Sequence, residues 1–212
     1  LNRQIVEIDW PNPEIIEKKF KKMVWHSDGE IADSSSIASL VLSENTSKHS
    51  KVVLSGDGGD EIFGGYTTYN ATFLARYLKN LPKKITSMFC NFTDTLQKRY
   101  TRYSSYELIN RFFTYSHLGE YAHSQWRRYT NIDLSKKIFM NDCLEINNQE
   151  IFFNEIRKYY DSLDNINSIK SKAQAVDLKF YLPSDMLIKT DRMAMAYGIE
   201  ARVPLLDFNL IK

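Results

Sequence analysis

Hydrophobic and polar residues follow two rhythms along this chain, and the change falls near Tyr66. Before it, Lys51-Val52-Val53-Leu54 is a short apolar run with two β-branched residues that passes into Ser55-Gly56-Asp57-Gly58-Gly59-Asp60-Glu61. An apolar run, a glycine-rich turn and then amphipathic spacing predict a strand, a loop and a helix in succession. Ile5-Val6-Glu7-Ile8 is a second strand candidate, closed by Pro11 and Pro13. From Glu14 onward Ile15, Ile16, Phe20, Met23 and Val24 recur at helical spacing, and the interleaved Lys18, Lys19, Lys21 and Lys22 predict a solvated face. Asp33 or Ser34 is placed to cap a further helix carrying Ile37, Leu40, Val41 and Leu42. A helix between two strands predicts a right-handed parallel crossover.

Beyond Tyr66 the pattern is helical, over 69–81, 105–113 and 149–160, with breaks at Leu81-Pro82 and Asn165-Ile166-Asn167. A longer helix is predicted over 171–181, ending at Leu182-Pro183, with Pro183 in the first turn of its successor. That last helix carries Met186, Leu187, Met193 and Met195, and Gly198 is its expected stop. Lys189, Asp191 and Arg192 lie amid its apolar positions, so each must reach solvent or find a partner. They are either structural pairs or the lining of a polar pocket beside the Ser55 loop. Glu200 and Arg202 invite the same pairing argument.

Composition narrows the class. With 212 residues, 43% hydrophobic and 25% charged, the chain can bury a sizeable core. A net charge of +2 with interleaved signs argues against a nucleic-acid surface, despite the tyrosines and basic residues of the second half. No apolar run is long enough to span a bilayer and no signal peptide is evident, which makes a cytoplasmic location the expectation. Cys90 and Cys143 have no metal-ligand spacing and read as free thiols. His26, Asp28, Glu30 and Asp33 are scattered acids around a lone His, a weak metal signal.

The 55–61 loop carries the chemistry. In a parallel α/β sheet it would lie at the carboxyl end of a strand, where its N–H groups can meet an anion at the next helix. Gly56, Gly58 and Gly59 would let the backbone approach a ligand with no Cβ in the way. Asp57, Asp60 and Glu61 would repel a bare phosphate, and Mg2+ resolves that conflict by taking carboxylate and phosphate oxygens together. The spacing is neither a Walker loop nor the dinucleotide fingerprint. A plain turn whose acids cap the next helix accounts for the same residues.

Three blocks give the chain a wider resemblance. Ser55-Gly-Asp-Gly-Gly-Asp-Glu-Ile-Phe-Gly-Gly-Tyr66, the block Tyr181-Leu-Pro-Ser-Asp-Met-Leu-Ile-Lys-Thr-Asp-Arg-Met193 with Gly198-Ile-Glu-Ala-Arg-Val-Pro-Leu-Leu-Asp207, and the weaker Val24-Trp-His-Ser-Asp28 with Ala32-Asp-Ser-Ser35 together resemble the synthetase domain of the asparagine synthetase family, in that family's order. The resemblance implies a partial three-layer parallel-sheet α/β core of the adenine-nucleotide α-hydrolase-like (ATP-pyrophosphatase) type over 1–66, then a mainly helical portion over 67–212. It implies an ATP- and Mg2+-dependent ligase that activates a carboxylate, with aspartate the first candidate, as an acyl-adenylate with release of pyrophosphate, and then amidates it with glutamine-derived ammonia. Relatives that amidate sugars or close peptide or lactam rings are alternatives, as is a binding or scaffold module that keeps the fold without the chemistry. Ser55 and Gly56, with Gly58 and Gly59, match ATP-contacting positions. Asp57 falls where the family holds an acid linked to adenylate formation, Asp60 matches its magnesium carboxylate, and Glu61 neighbours that ion. Lys189, Asp191 and Arg192 are the candidate substrate-pocket residues.

The departures matter equally. The family's first pyrophosphate loop, Ser-Gly-Gly-x-Asp-Ser, does not occur in these 212 residues, nor does the lysine-bearing segment beyond the Arg-Val-Pro block. Asp28-Gly29-Glu30 replaces a usual Asp-Glu-Pro, and residue one is leucine, so a fragment is expected, with a glutaminase domain in the full protein and a homodimer among the assemblies it allows. Such a fragment is expected not to form amides alone.

Overall fold

The computed structural model describes residues 5, 7, 8, 11–29, 31, 33–80, 82, 85, 86, 88, 105–127 and 148–212. Cys90, Cys143, Glu30 and Leu81 lie outside them, so the expectations for these residues are not addressed. The described chain is mostly helical, with one small parallel sheet. It forms two compact units, one from 1–62 with 178–212 and the other from 63–177.

In the first unit, α1 (Pro13–Ser27) opens with the cap that its sequence requires: the Asn12 side chain accepts from the Ile15 N–H, and Pro13 fills the first helical position, where no N–H is needed. The chain leaves α1 through Asp28, in the left-handed region at φ 51°. Ser34 is the N-cap of α2 (Ser35–Thr46), and Asp33, just before it, accepts from the Ser35 N–H at 2.9 Å. Met23, Ile31, Leu40 and Met193 form the core of this unit, with Ile37, Ile188, Ala196 and Tyr197 against it.

The lysine face of α1 differs from its expected solvation. Lys19 is only 8% exposed, paired to Glu44 and 2.9 Å from the Tyr197 hydroxyl, while the Lys22 ammonium lies 3.5 Å from the centroid of the same ring. Tyr197 supplies both a hydroxyl acceptor and a π face, so two helix positions that would otherwise face water are drawn inward. Burial opposes charge on Lys19, but the Glu44 and Tyr197 contacts outweigh it and raise its pKa above the ordinary lysine value.

β1 (Val52–Leu54) pairs in parallel with β2 (Glu200–Arg202), Val53 opposite Ala201. The expected partner of β1 was the run 5–8, yet Ile5, Glu7 and Ile8 are not in a strand. The pairing that forms instead brings the Glu-Ala-Arg-Val-Pro block to the strand that enters the glycine loop. Leu54 is 74% exposed, and the expected three-layer core is represented here by these two strands alone among the described residues.

The second unit contains α4 (Thr67–Leu78), α5 (Ser105–Tyr115), a 3-10 turn over Ser116–Tyr121, α6 (Ala122–Trp126), α7 (Asn148–Asp161) and α8 (Ile169–Val176); the short α3 (Gly59–Phe63) precedes them. Ala75, Ala122 and Trp126 make its core, packed by Ala71, Phe112, Tyr115 and Leu118. The Ser168 hydroxyl caps α8 by accepting from the Ser171 N–H.

The break expected at Leu182-Pro183 does not occur. α8 passes into a π-helical stretch, Asp177–Leu187, containing Pro183, and then into α9 (Ile188–Met195). A proline lacks the N–H an α-helix needs and its ring crowds the preceding turn, and the wider π winding accommodates both. Gly198, in the left-handed region at φ 65°, ends α9 as expected, with the Ile199 N–H returning to the Ala194 carbonyl at 3.1 Å.

Candidate functional site

The loop from Ser55 to Gly58 joins β1 to α3, so its place at the carboxyl end of a parallel strand is the one its sequence implied. Its entry is fixed by the Ser55 N–H donating to the Arg202 carbonyl at 2.8 Å, one step beyond the sheet register. Asp57 is the centre of a small network. Its Oδ2 accepts from the Ser55 hydroxyl at 2.8 Å and from the Thr190 hydroxyl at 2.7 Å. Among the described residues its Oδ1 has no donor.

The three glycines are needed for different reasons. A Cβ on Gly56 would meet nothing within 4 Å, which leaves that backbone open to a ligand. Gly58 has φ 84°, and a Cβ there would lie 2.3 Å from Leu206 Cδ2; one on Gly59 would lie 2.9 Å from Leu205 Cδ1. These two glycines make room for the Pro-Leu-Leu turn (Pro204–Leu206), whereas Gly56 alone has the open space that close ligand approach was expected to require.

The two outer acids also separate. Asp60 is exposed, and Glu61 is 1% exposed and engaged by other protein groups. Among the described residues, no three His, Cys, Asp or Glu side chains are grouped to hold a metal ion. Asp60 and, with no donor among the described residues, Asp57 Oδ1 offer hard oxygens of the kind that Mg2+ takes alongside phosphate and water.

Residues 189–192 have four different surroundings. The Lys189 ammonium is buried and donates to Asp33 Oδ2 at 2.7 Å and to Ser35 Oγ at 2.9 Å. Burial pushes the Asp33 carboxyl upward, but hydrogen bonds from Lys189 and Ser35 outweigh it and hold the carboxyl below its ordinary value. Arg192 donates to the Ser27 carbonyl and lies 3.6 Å from Asp28, whereas Asp191 is exposed. Adjacent helix positions do not face each other, which is why Asp191 and Arg192 find separate surroundings. Thr190, a residue without charge and therefore without a sequence signal, reaches the loop itself through Asp57. Arg202 and Glu200 do pair, at 2.8 Å on an exposed surface, where such a pair is worth at most about 1 kcal/mol.

The asparagine synthase family profile matches residues 4–212. The chain belongs to the asparagine synthase family. It is 28% identical over 196 residues to asparagine synthetase [glutamine-hydrolyzing] 1 of Bacillus subtilis, a match covering 92% of this chain and 29% of that protein. A putative asparagine synthetase [glutamine-hydrolyzing] of Mycobacterium tuberculosis is 27% identical over 199 residues, 88% of this chain and 27% of that protein. Amidase chyE of Penicillium rubens is 24% identical over 220 residues, covering 93% and 30%. The chain thus spans less than a third of the relatives it matches, and no solved structure matches it. Among the described residues no helix is long and apolar enough to cross a membrane.

Proposed function

We propose that these residues are part of the synthetase domain of a cytoplasmic, ATP-dependent amide-forming ligase of this family, activating a carboxylate as its adenylate with release of pyrophosphate. The observation that carries the reading is Asp57: held on one oxygen by two hydroxyls, without a donor on the other among the described residues, and next to a glycine with open space above it. Ser55 and Gly56 contact ATP, Gly58 and Gly59 give the loop its shape, and Asp57 is the acid on which adenylate formation depends. Asp60 is the carboxylate that would hold Mg2+, which when bound neutralises charge on the departing pyrophosphate. Lys189 and Arg192 tie the loop's surroundings together, and Asp191 is left for solvent or substrate. Aspartate is the first candidate acceptor, ammonia derived from glutamine by a glutaminase domain is the nitrogen source, and a homodimer is a candidate assembly.

The test is exchange of labelled pyrophosphate into ATP, using the product of the complete gene and a panel of carboxylic acids. Exchange with one acid, lost on Asp57→Asn, supports the proposal. Absence of exchange with every acid, together with unaltered Mg·ATP binding after Asp60→Ala, favours a binding module without the chemistry.

A further inference from the structure

We infer that Thr190, on α9, is the positioning residue for Asp57; this rests on the function proposed above for that carboxylate. A carboxylate on a glycine-rich loop can rotate about two side-chain bonds, and either oxygen can then face a ligand. Here one oxygen is occupied twice. Ser55 and Thr190 both donate to Oδ2, at 2.8 and 2.7 Å, so rotation would break two hydrogen bonds, and Oδ1 is the oxygen left to serve the reaction.

The two donors are not equivalent. Ser55 is two residues from Asp57 and moves with the same loop, so it fixes the side chain only relative to its own backbone. Thr190 comes from a helix 133 residues away in sequence. That helix is itself anchored on both sides of Thr190, by Lys189 to Asp33 and Ser35 and by Arg192 to the Ser27 carbonyl. Thr190 therefore refers the loop acid to a fixed frame, which Ser55 cannot do. Both donors are hydroxyls, which carry no charge of their own to compete with Mg2+ for the carboxylate.

The role predicts a particular kinetic signature. A group that orients another acts on the geometry of the transition state, while ground-state affinity for ATP comes from the rest of the loop. In the product of the complete gene, Thr190→Val keeps the shape and removes the donor. It is expected to lower kcat of ATP–pyrophosphate exchange about 10- to 100-fold while KM for ATP stays within about twofold. Thr190→Ser, which restores the hydroxyl, is expected to recover most of the rate. Thr190→Ala, judged by the same thresholds, replaces the valine variant should that one not fold. Exchange within about twofold of wild type, a change confined to KM, or no recovery in Thr190→Ser would each overturn the inference. Asp57→Asn separates this outcome from failure of the underlying function: if it retains exchange, or wild type has none, the proposed function falls and this inference with it; if it abolishes exchange while Thr190→Val is unaffected, this inference alone is overturned.

Discussion

Asp57 in the first unit and Asp177 in the second are both carboxylates held by neighbouring side chains, and they differ in how many donors the protein supplies. Asp177 is buried and accepts from the Tyr69 hydroxyl at 2.9 Å, from His123 Nε2 at 2.9 Å and from Arg127 Nη2 at 2.8 Å. His123 Nδ1 meets the Thr72 hydroxyl at 2.9 Å, and Arg127 stacks over Tyr66 at 3.9 Å. Both oxygens of Asp177 are occupied, so this cluster is a support for the helices of its unit. Asp57 is half-occupied, at an open glycine. The Asp177 arrangement suits a structural role, and that of Asp57 leaves an oxygen for the ligand proposed above.

That contrast can be broken at either end. The largest effect is expected from Asp177→Ala, which leaves His123, Arg127 and Tyr69 without their common acceptor and should cost about 3–5 kcal/mol in unfolding free energy. A loss under about 1 kcal/mol in urea titration would show that the cluster is not a support. Lys189→Met leaves Asp33 buried without its cation, and about 3 kcal/mol is expected from the same measurement. Gly58→Ala should cost at least about 1 kcal/mol, because its backbone is left-handed and Leu206 occupies the Cβ position. Gly56→Ala, with open space around it, should leave stability within about 0.5 kcal/mol and weaken Mg·ATP binding instead.

The pH dependence sharpens the same point. Burial would raise the Asp177 carboxyl, but the His123 hydrogen bond and the charges of His123 and Arg127 outweigh it and hold it below the ordinary value. Because the folded pKa is the lower one, its contribution to stability is present above the unfolded pKa, near 4, and is lost as pH falls through the folded value. Melting temperatures measured from pH 6 down to pH 2 should fall less steeply in Asp177→Asn than in wild type. Equal slopes would contradict the assignment.

Much of this was readable before the structure, for reasons that differ by residue. The glycine loop, α1, α2 and α9 follow from local signals: β-branched residues before a turn, apolar residues at helical spacing from Glu14, a cap at Asp33 or Ser34, and Gly198 as a stop. The partner of β1 was not readable, because strand pairing across some 148 residues leaves no local trace. Pro183 pointed to a helix boundary because its cost in an α-helix is well defined, and the π stretch avoids that cost. Lys19 looked solvated since nothing near it in sequence announces Glu44 or Tyr197. At the site, charge flagged Lys189 and Arg192 correctly as residues needing partners but could not name Asp33 or Ser27. Thr190 and the His123–Asp177 cluster carried no signal beyond their residue types.

The central claim is tested most directly by calorimetric titration of Mg·ATP into the product of the complete gene, comparing wild type with Asp60→Asn. The account predicts measurable binding by wild type, at least tenfold weaker binding by the variant and an unchanged melting temperature, because Asp60 is exposed. Equal affinity in the two proteins, or the same loss in nucleotide titrations without magnesium, would contradict it.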